Sequence, residues 1–375
     1  MAHTVVIAPD SFKGTIGAAA AAEALAAGWR RERPDSELRL MPMADGGEGT
    51  VDAFAAAVPG AQRMPVTVTG PEDGPVEASW VLLPATPGAP HGTGVVELAN
   101  TSGIELLGTP PRLHAFDTHT RGFGEAIAAA LAHGVSRLVL GIGSSSSTDG
   151  GTGMLTALGA RFTDAAGRPV ARGARGLDAV TAADLSGLAP LPPGGVTVLS
   201  DVTNPLFGPR GAAAIFGPQK GAGADDIPVL DAALARLAAL VDADPETAGA
   251  GAAGGTGFGL LAWGARLVPG SAAVAELVGL DAAVAAASVV VTGEGAYDGQ
   301  SAAGKVPAHV GAVAAAACVP VALVAGRIAA DADTSGFAAT ASLTELAGSG
   351  GAAMAETARW LEEAGARLAR ELARG

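Results

Sequence analysis

Short runs of β-branched residues alternate with alanine-rich stretches along this chain of 375 residues. The alternation predicts strands separated by helices, which is typical of an α/β protein with a largely parallel sheet. The predicted strands that matter most cover residues 5–8, 38–41, 138–142, 197–199, 289–292 and 321–324. Because such sheets bind ligands beyond the carboxyl ends of their strands, we expect the functional residues in the loops that follow these strands.

The pattern changes near residue 66, where residues 66–83 alternate apolar and polar side chains around a Gly-Pro-Glu-Asp-Gly turn. This change predicts an antiparallel hairpin, and the chain is too long for one simple core. We therefore predict an α/β fold with two domains. A Rossmann- or flavodoxin-like parallel-sheet domain would be built from both chain ends, residues 1–66 plus 286–375, with a mixed α/β domain inserted at 67–285.

Composition limits the classes of partner. A net charge of −14 argues against nucleic acid or an anionic membrane as the main partner, because no general positive field would attract either. We expect neither a signal peptide nor a membrane span, and we predict a cytoplasmic monomer or homodimer. The single cysteine, Cys318, cannot form an internal disulfide and is expected to be a small buried residue, whereas His114 and His119 are expected at the surface.

Lysine is scarce: the chain has three lysines against twenty arginines. Lys13, Lys220 and Lys305 each stand beside a glycine in a loop. Where arginine fills most cationic positions, the remaining lysines indicate places that need a compact ammonium group. We interpret the three loops as candidate anion-binding sites, with chance in an arginine-rich composition as the alternative.

Two acidic loops follow the first two predicted strands. The segment PDSFKG places Asp10, Ser11 and Lys13 after the first strand, and in MADGGEGT the carboxylates of Asp45 and Glu48 flank two glycines. Such carboxylates can hold Mg²⁺, accept a proton from an alcohol or bind substrate hydroxyls. The alternative for both loops is simple helix capping.

A serine-rich loop, GIGSSSSTDGG, follows the strand predicted at 138–142. Its small residues allow backbone amides to converge on one oxyanion, with the hydroxyls of Ser145 and Ser146 as further donors. Asp149 would be the single charge in the loop. A flexible linker is the alternative.

Two later segments complete the candidate set. Asp201 and Asn204 follow the strand at 197–199 and are placed to bind metal or substrate, with an Asx turn as the alternative for Asn204. The segment from Gly299 to Lys305 reads G-x-x-x-x-G-K, but Val306 stands where a phosphate loop has its magnesium-binding Ser or Thr. Glu294 and Asp298 could supply the missing metal ligands.

Two further segments are predicted to be structural. GAGAAG at 249–254 spells a dinucleotide fingerprint but follows a helix, so we interpret it as close packing or an ordered turn. Residues 352–372 mix Glu and Arg, which indicates a helix with a solvated outer face.

Seven segments, taken in order, resemble the bacterial type I glycerate kinases between residue 5 and about residue 326: APDSFKGT, PMADGGEGT, TSGIELL, GIGSSSSTDGG, SDVTNPLFGPRGA, FGPQKGA and TGEGAYDGQSAAGK. Ser144 stands where the family loop has its second glycine, and Ser301 replaces a threonine of the TGEG element. The resemblance implies ATP-dependent phosphorylation of D-glycerate, usually to 2-phosphoglycerate. It also implies a two-domain α/β protein with its active site in the cleft between the domains.

The residues divide into three implied roles. Asp201, Asp149 and Lys13 are the implied catalytic residues, with one of the two aspartates accepting the hydroxyl proton. Glu294 and Asp298 would hold Mg²⁺. The implied substrate- and phosphate-binding residues are Asp10, Ser11, Asp45, Glu48, Ser145, Ser146, Asn204, Lys220, Gln300 and Lys305.

Three alternatives remain open at this level. The product could be 3-phosphoglycerate, or the protein could bind glycerate or another hydroxy acid without catalysis. A nicotinamide-dependent oxidoreductase would suit the α/β pattern, but the first strand leads into DSFKG instead of a glycine fingerprint.

Overall fold

The chain forms two compact units in a computed structural model that describes residues 3–298 and 305–372. Unit 1 comprises Met1–Asp45, Asp52–Pro59 and Pro269–Gly375, and unit 2 comprises Gly46–Val51 and Gly60–Val268. The sequence-based domain boundaries at residues 66 and 285 and the cleft between the domains stay predictions.

The strands are β1 (Thr4–Pro9), β2 (Glu37–Leu40), β3 (Gln62–Thr69), β4 (Pro75–Leu83), β5 (Thr93–Glu97), β6 (Arg137–Gly141), β7 (Arg161–Thr163), β8 (Ala182–Asp184), β9 (Val196–Leu199), β10 (Arg266–Val268), β11 (Val289–Tyr297), β12 (Val321–Ile328) and β13 (Ala339–Ser342).

The helices are α1 (Ala18–Glu32), α2 (Thr50–Ala57), α3 (Ala99–Ser102), α4 (Arg121–His133), α5 (Thr152–Ala157), α6 (Ala174–Leu177), α7 (Ala212–Phe216), α8 (Asp226–Ala238), α9 (Ala252–Trp263), α10 (Gly270–Val278), α11 (Leu280–Ala285), α12 (Val306–Ala316), α13 (Leu343–Ala347), α14 (Gly350–Ala355) and α15 (Thr357–Glu371). Short 3₁₀ turns cover Ile104–Leu107 and Pro218–Lys220. The start of α9 departs from helical geometry, with left-handed backbone at Ala253, Gly254 and Gly255.

Unit 1 is built on a five-stranded sheet in the order β13-β12-β11-β1-β2, and every neighbouring pair in it is parallel. The apolar runs that predicted the central strands β1, β11 and β12 are buried, because a parallel sheet is covered on both faces. The edge strand β2 is only partly buried. Helices α1 and α15 pack on one face, where Trp29 and Leu361 join the core. A Cβ at Gly28 would overlap the carbonyl oxygen of Glu362, so the two helix backbones are in close contact.

The helix predicted at 352–372 is two helices, α14 and α15, and the expected solvated face is only one side of α15. Its other side buries Leu361, Ala364 and Leu368 in the core of unit 1. The Glu and Arg residues that suggested exposure lie on the outer side, where Arg31 pairs with Glu363.

Unit 2 contains a six-stranded mixed sheet in the order β10-β9-β6-β5-β4-β3. The predicted hairpin is confirmed, since β3 pairs antiparallel with β4 from Gln62↔Leu82 to Thr69↔Pro75. Strands β5, β6, β9 and β10 pair in parallel, and Phe123, Leu140 and Phe258 lie in the core beside them. Strands β7 and β8 form a separate antiparallel pair. The α/β class with a parallel sheet in unit 1 and a mixed sheet in unit 2 is therefore confirmed.

Two single-residue predictions were wrong. Cys318 is exposed and has a φ of +56°, because it lies just beyond the end of α12 where the chain turns toward β12. His119, expected at the surface, is 1% exposed. Among the described residues, none of the helices is long and apolar enough to cross a bilayer.

Candidate active site

The strand order of unit 1 reverses between β1 and β11, since the chain runs from β1 to β2 on one side and from β11 to β13 on the other. Ligands of doubly wound α/β folds bind at this reversal, beyond the carboxyl ends of the strands. Asp10, Ser11 and Lys13 follow β1 directly, and Glu294 lies in the last half of β11. The topology therefore brings two of the predicted segments to one edge of the sheet.

A group of carboxylates lies at this edge. Asp10 is buried, and its Oδ1 accepts a hydrogen bond from the Ser11 N–H at 2.7 Å. Burial, together with the charges of Asp45 and Glu294, raises the pKa of Asp10 to about 8, against the opposing effects of the Ser11 hydrogen bond and Lys13. A strongly perturbed acid in a cavity is typical of a functional site.

Two lysines stand beside these carboxylates. Lys13 Nζ lies 3.9 Å from Asp45 Oδ2, and Lys305 Nζ lies 3.7 Å from Glu294 Oε2. Lys305 immediately precedes α12, so the ammonium group stands at the positive end of that helix. Lys13 is 64% exposed and Lys305 is 37% exposed, so both can reach an anion that enters from solvent.

These groups line a cavity of about 410 Å³ within unit 1. Its floor includes Gly295 and Gly326 on the adjacent strands β11 and β12, and a Cβ at Gly326 would overlap the carbonyl oxygen of Gly295. The remainder of the wall comes from the end of β12 and from α13, α14 and the start of α15.

The carboxylates alone do not form a complete metal-binding site. Among the described residues, no group of three or more His, Cys, Asp or Glu side chains could hold a metal ion. They fit a magnesium ion that arrives with a nucleotide, since Mg²⁺ usually takes one or two protein carboxylates together with phosphate oxygens and water. Desolvation and the charges of Asp45 and Glu294, which raise the pKa of Asp10, are effects that a bound cation would oppose, and this supports the fit. Asp298 follows β11 and stays a predicted ligand.

The serine loop lies in unit 2 after β6, as predicted. Ser144 adopts a φ of +58°, which is the left-handed conformation that favours glycine. Both donors of Ser146 bond to Ser102 O, the N–H at 3.2 Å and the hydroxyl at 2.8 Å. The predicted ligand Ser146 therefore ties the loop to the TSGIELL segment, while Ser147 Oγ and Thr148 Oγ1 are buried with no hydrogen-bond partner among the described residues.

Asp149 is fully buried, and its carboxylate accepts four hydrogen bonds. The donors are the N–H and hydroxyl of Thr120, at 3.0 and 2.8 Å, and the N–H groups of Gly151 and Gly153, both at 3.1 Å. A carboxylate held in this way fixes the shape of the loop. This arrangement differs from that of a proton acceptor, which needs access to a substrate hydroxyl.

Lys220 lies under the same loop and is 2% exposed. Its Nζ donates to Ser145 Oγ at 2.8 Å and to Ser147 O at 2.5 Å. Burial lowers the pKa of Lys220 to about 7, and the charge of Asp149 opposes that shift. The Lys220 ammonium group therefore hydrogen-bonds to the serine loop itself. Gly254 of GAGAAG packs on Ser147 O, which agrees with the interpretation of that segment as close packing.

His119 and Thr120 were missed by sequence reasoning. His119 Nε2 lies 3.1 Å from Asp73 Oδ1, its Nδ1 accepts the Arg121 N–H at 3.3 Å, and the adjacent Thr120 donates to Asp149. Burial lowers the pKa of His119. No motif marks this pair, because Asp73 and Asp149 are far from it in sequence.

The glycines of MADGGEGT pack against the serine loop within unit 2. The Gly143 N–H donates to Gly46 O at 2.9 Å, and a Cβ at Gly46 would overlap the carbonyl oxygen of Leu199 at the end of β9. The loops after β2, β6 and β9 therefore meet. Glu48 belongs to this group in unit 2, whereas Asp45 belongs to unit 1.

A buried carboxylate, Glu97, supports this group and was also missed. It accepts the N–H groups of Gly49 and Val51 at 3.1 and 2.8 Å, so it fixes the start of α2. Its position at the end of β5 was the available signal.

Three predicted residues remain: Asp201 and Asn204, which follow β9, and Gln300. Asp201 is half-buried. Asn204 Nδ2 donates to Arg210 O at 2.8 Å, so this side chain braces its own loop. Gln300 lies outside the described residues.

The chain is similar to known proteins over most of its length. The model of the glycerate kinase family matches residues 5–373. A glycerate kinase of Bacillus subtilis is 42% identical over 334 residues, which cover 87% of this chain and 86% of the relative. A glycerate 2-kinase of Escherichia coli is 41% identical over 331 residues, covering 86% of this chain and 85% of the relative.

A solved structure is also similar. A crystal structure from Salmonella typhimurium LT2, assigned as a glycerate kinase 2, superposes with a TM-score of 0.83 at 37% identity. The match covers 100% of this chain and 99% of that one. The similarity in fold and the match over nearly the whole length agree, and the chain belongs to the glycerate kinase family.

Proposed function

We propose that this kinase transfers the γ-phosphoryl group of ATP to the 2-hydroxyl of D-glycerate, giving 2-phosphoglycerate and ADP. The observation that carries the proposal is the cavity at the strand reversal of unit 1, where two lysines and three carboxylates face one space. Phosphoryl transfer depends on positioning and charge neutralisation, which these groups supply. The name of the E. coli relative supports the 2-position.

Lys13 and Lys305 bind phosphate oxygens in this proposal. The two ammonium groups are accessible, and Lys305 adds its charge to the N-terminus of α12. Ser11 and Asp45 belong to the same wall and orient Lys13, because Asp45 Oδ2 lies within ion-pair distance of its Nζ.

Mg²⁺ bound with the nucleotide would neutralise charge on the transferring phosphoryl group. Glu294 and Asp298 are its proposed ligands, and the cation would lower the pKa of the neighbouring Asp10 by electrostatic attraction.

Unit 2 supplies the proposed groups for D-glycerate. The hydroxyls of Ser145, Ser147 and Thr148 are candidate donors to the substrate carboxylate, and Glu48 and Asn204 are candidates for its hydroxyls. Asp201 is the proposed proton acceptor, since the carboxylate of Asp149 is already occupied by four donors. Lys220 and Asp149 act as positioning residues that hold the loop.

The test is ³¹P NMR of the product formed from MgATP and D-glycerate, with the Lys305→Met variant as a control for contaminating kinases. A 2-phosphoglycerate signal that the variant reduces by two orders of magnitude or more is expected. A 3-phosphoglycerate signal would overturn the regiochemistry. Binding of glycerate without turnover by the folded protein would favour a non-catalytic binding protein instead.

We also propose that the protein acts in the cytoplasm as a monomer or homodimer. One cysteine permits no internal disulfide, as suits a reducing compartment. Fractionation of the cells and the mass of the purified protein in solution test the two points.

A further inference from the structure

We infer that the apolar end of the unit 1 cavity binds the nucleobase of ATP, with Met354 and Arg327 as its contacts. The inference rests on the proposed function, since it names the nucleoside part of that site. It assigns a role to residues outside every segment that pointed to phosphate or glycerate chemistry.

The size of the cavity is the first argument. A volume of about 410 Å³ falls within the range of roughly 300–1,000 Å³ that is typical of sites for drug-sized ligands. D-glycerate has only three carbons and would leave most of that space to water. A nucleotide is several times larger than D-glycerate and therefore suits a cavity of this size better.

The distribution of polarity is the second argument. Lys13, Lys305 and Glu294 lie on the wall formed by β1, β11 and the start of α12. The wall formed by α13 and α14 carries Leu343, Ala353 and Met354 instead. A nucleotide has the same division, with an anionic chain at one end and a planar, largely apolar ring at the other.

Met354 and Arg327 have the chemistry to hold a planar ring. Met354 is 63% exposed, although large apolar side chains in this protein are mostly buried. A thioether makes favourable contacts with aromatic rings. Arg327 is exposed and makes no hydrogen bond or ion pair with any residue in the described part of the chain, and a guanidinium group stacks on planar rings.

The test measures binding of ADP and of inorganic tripolyphosphate by calorimetry without Mg²⁺, for the wild-type protein, Met354→Ala and Met354→Leu. Ile215→Ala, at an exposed apolar side chain on α7, is the matched control. We expect Met354→Ala to weaken ADP binding at least fivefold, Met354→Leu to restore most of it, and tripolyphosphate binding to stay unchanged in both. The control should bind ADP like the wild type.

Equal ADP affinity in wild type and in folded Met354→Ala and Arg327→Ala variants would overturn the inference. An equal loss of ADP and tripolyphosphate binding would also overturn it, because the effect would then concern the phosphates. Both outcomes are independent of glycerate turnover. This inference can therefore fail while the proposed function stands, and the proposed function can fail while this inference stands.

Discussion

Ser144 holds a backbone conformation that costs a residue with a side chain more than it costs glycine. Its φ of +58° is left-handed, and the serine loop after β6 depends on that turn. We expect Ser144→Gly to increase the free energy of unfolding by roughly 1 kcal/mol, since the strain is removed at a modest entropic cost. Urea denaturation measures the change.

Ser288→Gly is the matched control, because Ser288 is exposed and has no positive φ. There the substitution should lower the free energy of unfolding by about 0.5–1 kcal/mol. If Ser144→Gly destabilised the protein as much as Ser288→Gly does, the argument that the Ser144 backbone is strained would be contradicted.

Asp10 should make stability depend on pH. Its pKa rises from 3.8 in the unfolded chain to about 8 in the folded one, so the folded protein keeps a proton that the unfolded chain releases between about pH 4 and pH 8. Through this group, stability falls as pH rises across that window, by at most about 1.4 kcal/mol per pH unit.

Asp10→Asn removes this dependence, and the variant should gain stability relative to wild type progressively from pH 4 to pH 8. Thermal denaturation of the ligand-free protein across this range measures the gain. Asp35→Asn, at an exposed position, controls for the loss of one negative charge. A gain that is constant with pH would show that the Asp10 proton is not responsible.

The position of Asp10 and Lys13 at the cavity could be predicted from the sequence, because small and charged residues interrupt an apolar pattern just after β1. The roles of Asp149 and Lys220 could not, because they depend on hydrogen bonds to Thr120 and Ser147, which only the folded chain brings near.

Among the elements, α10 supports the site through contact of its first residue with an acidic loop. A Cβ at Gly270 would overlap the carbonyl oxygen of Asp45. Gly270→Ala should therefore displace Asp45 and lower kcat/KM for phosphoryl transfer by on the order of tenfold or more, as expected for a misplaced site group.

Steady-state kinetics measures this loss, and Gly311→Ala in α12 is the control, since a Cβ there meets nothing within 4 Å. The control should keep full activity and gain helix stability. If the folded Gly270→Ala variant had wild-type kinetics, the proposal that α10 supports the site would be wrong.

Strand β11 shows a limit of predicting strands from local sequence alone. Its predicted end was residue 292, because Gly-Glu-Gly is an unfavourable strand sequence, yet β11 continues to Tyr297. Pairing with β12, which extends as far as Tyr297↔Ile328, stabilises this continuation of β11. Tertiary pairing overrides local propensity here and places Glu294 inside a strand.

At the scale of the whole molecule, the net charge of −14 opposes the approach of two anionic substrates. Dissolved salt screens that long-range repulsion, whereas the local lysine contacts are shorter than the screening length. We expect kcat/KM for ATP to rise about twofold between 10 and 150 mM KCl at constant free Mg²⁺. A steady fall over this range would show that local attraction governs association.

The lysines have a consequence for chemistry outside catalysis. Reagents that acylate primary amines find only three side chains on this protein, together with the N-terminal amine. One of the three, Lys220, is enclosed, so side-chain modification in the folded state falls on Lys13 and Lys305. An ordinary amine label therefore acts as a reporter of occupancy at the phosphate end of the cavity, without any engineered residue.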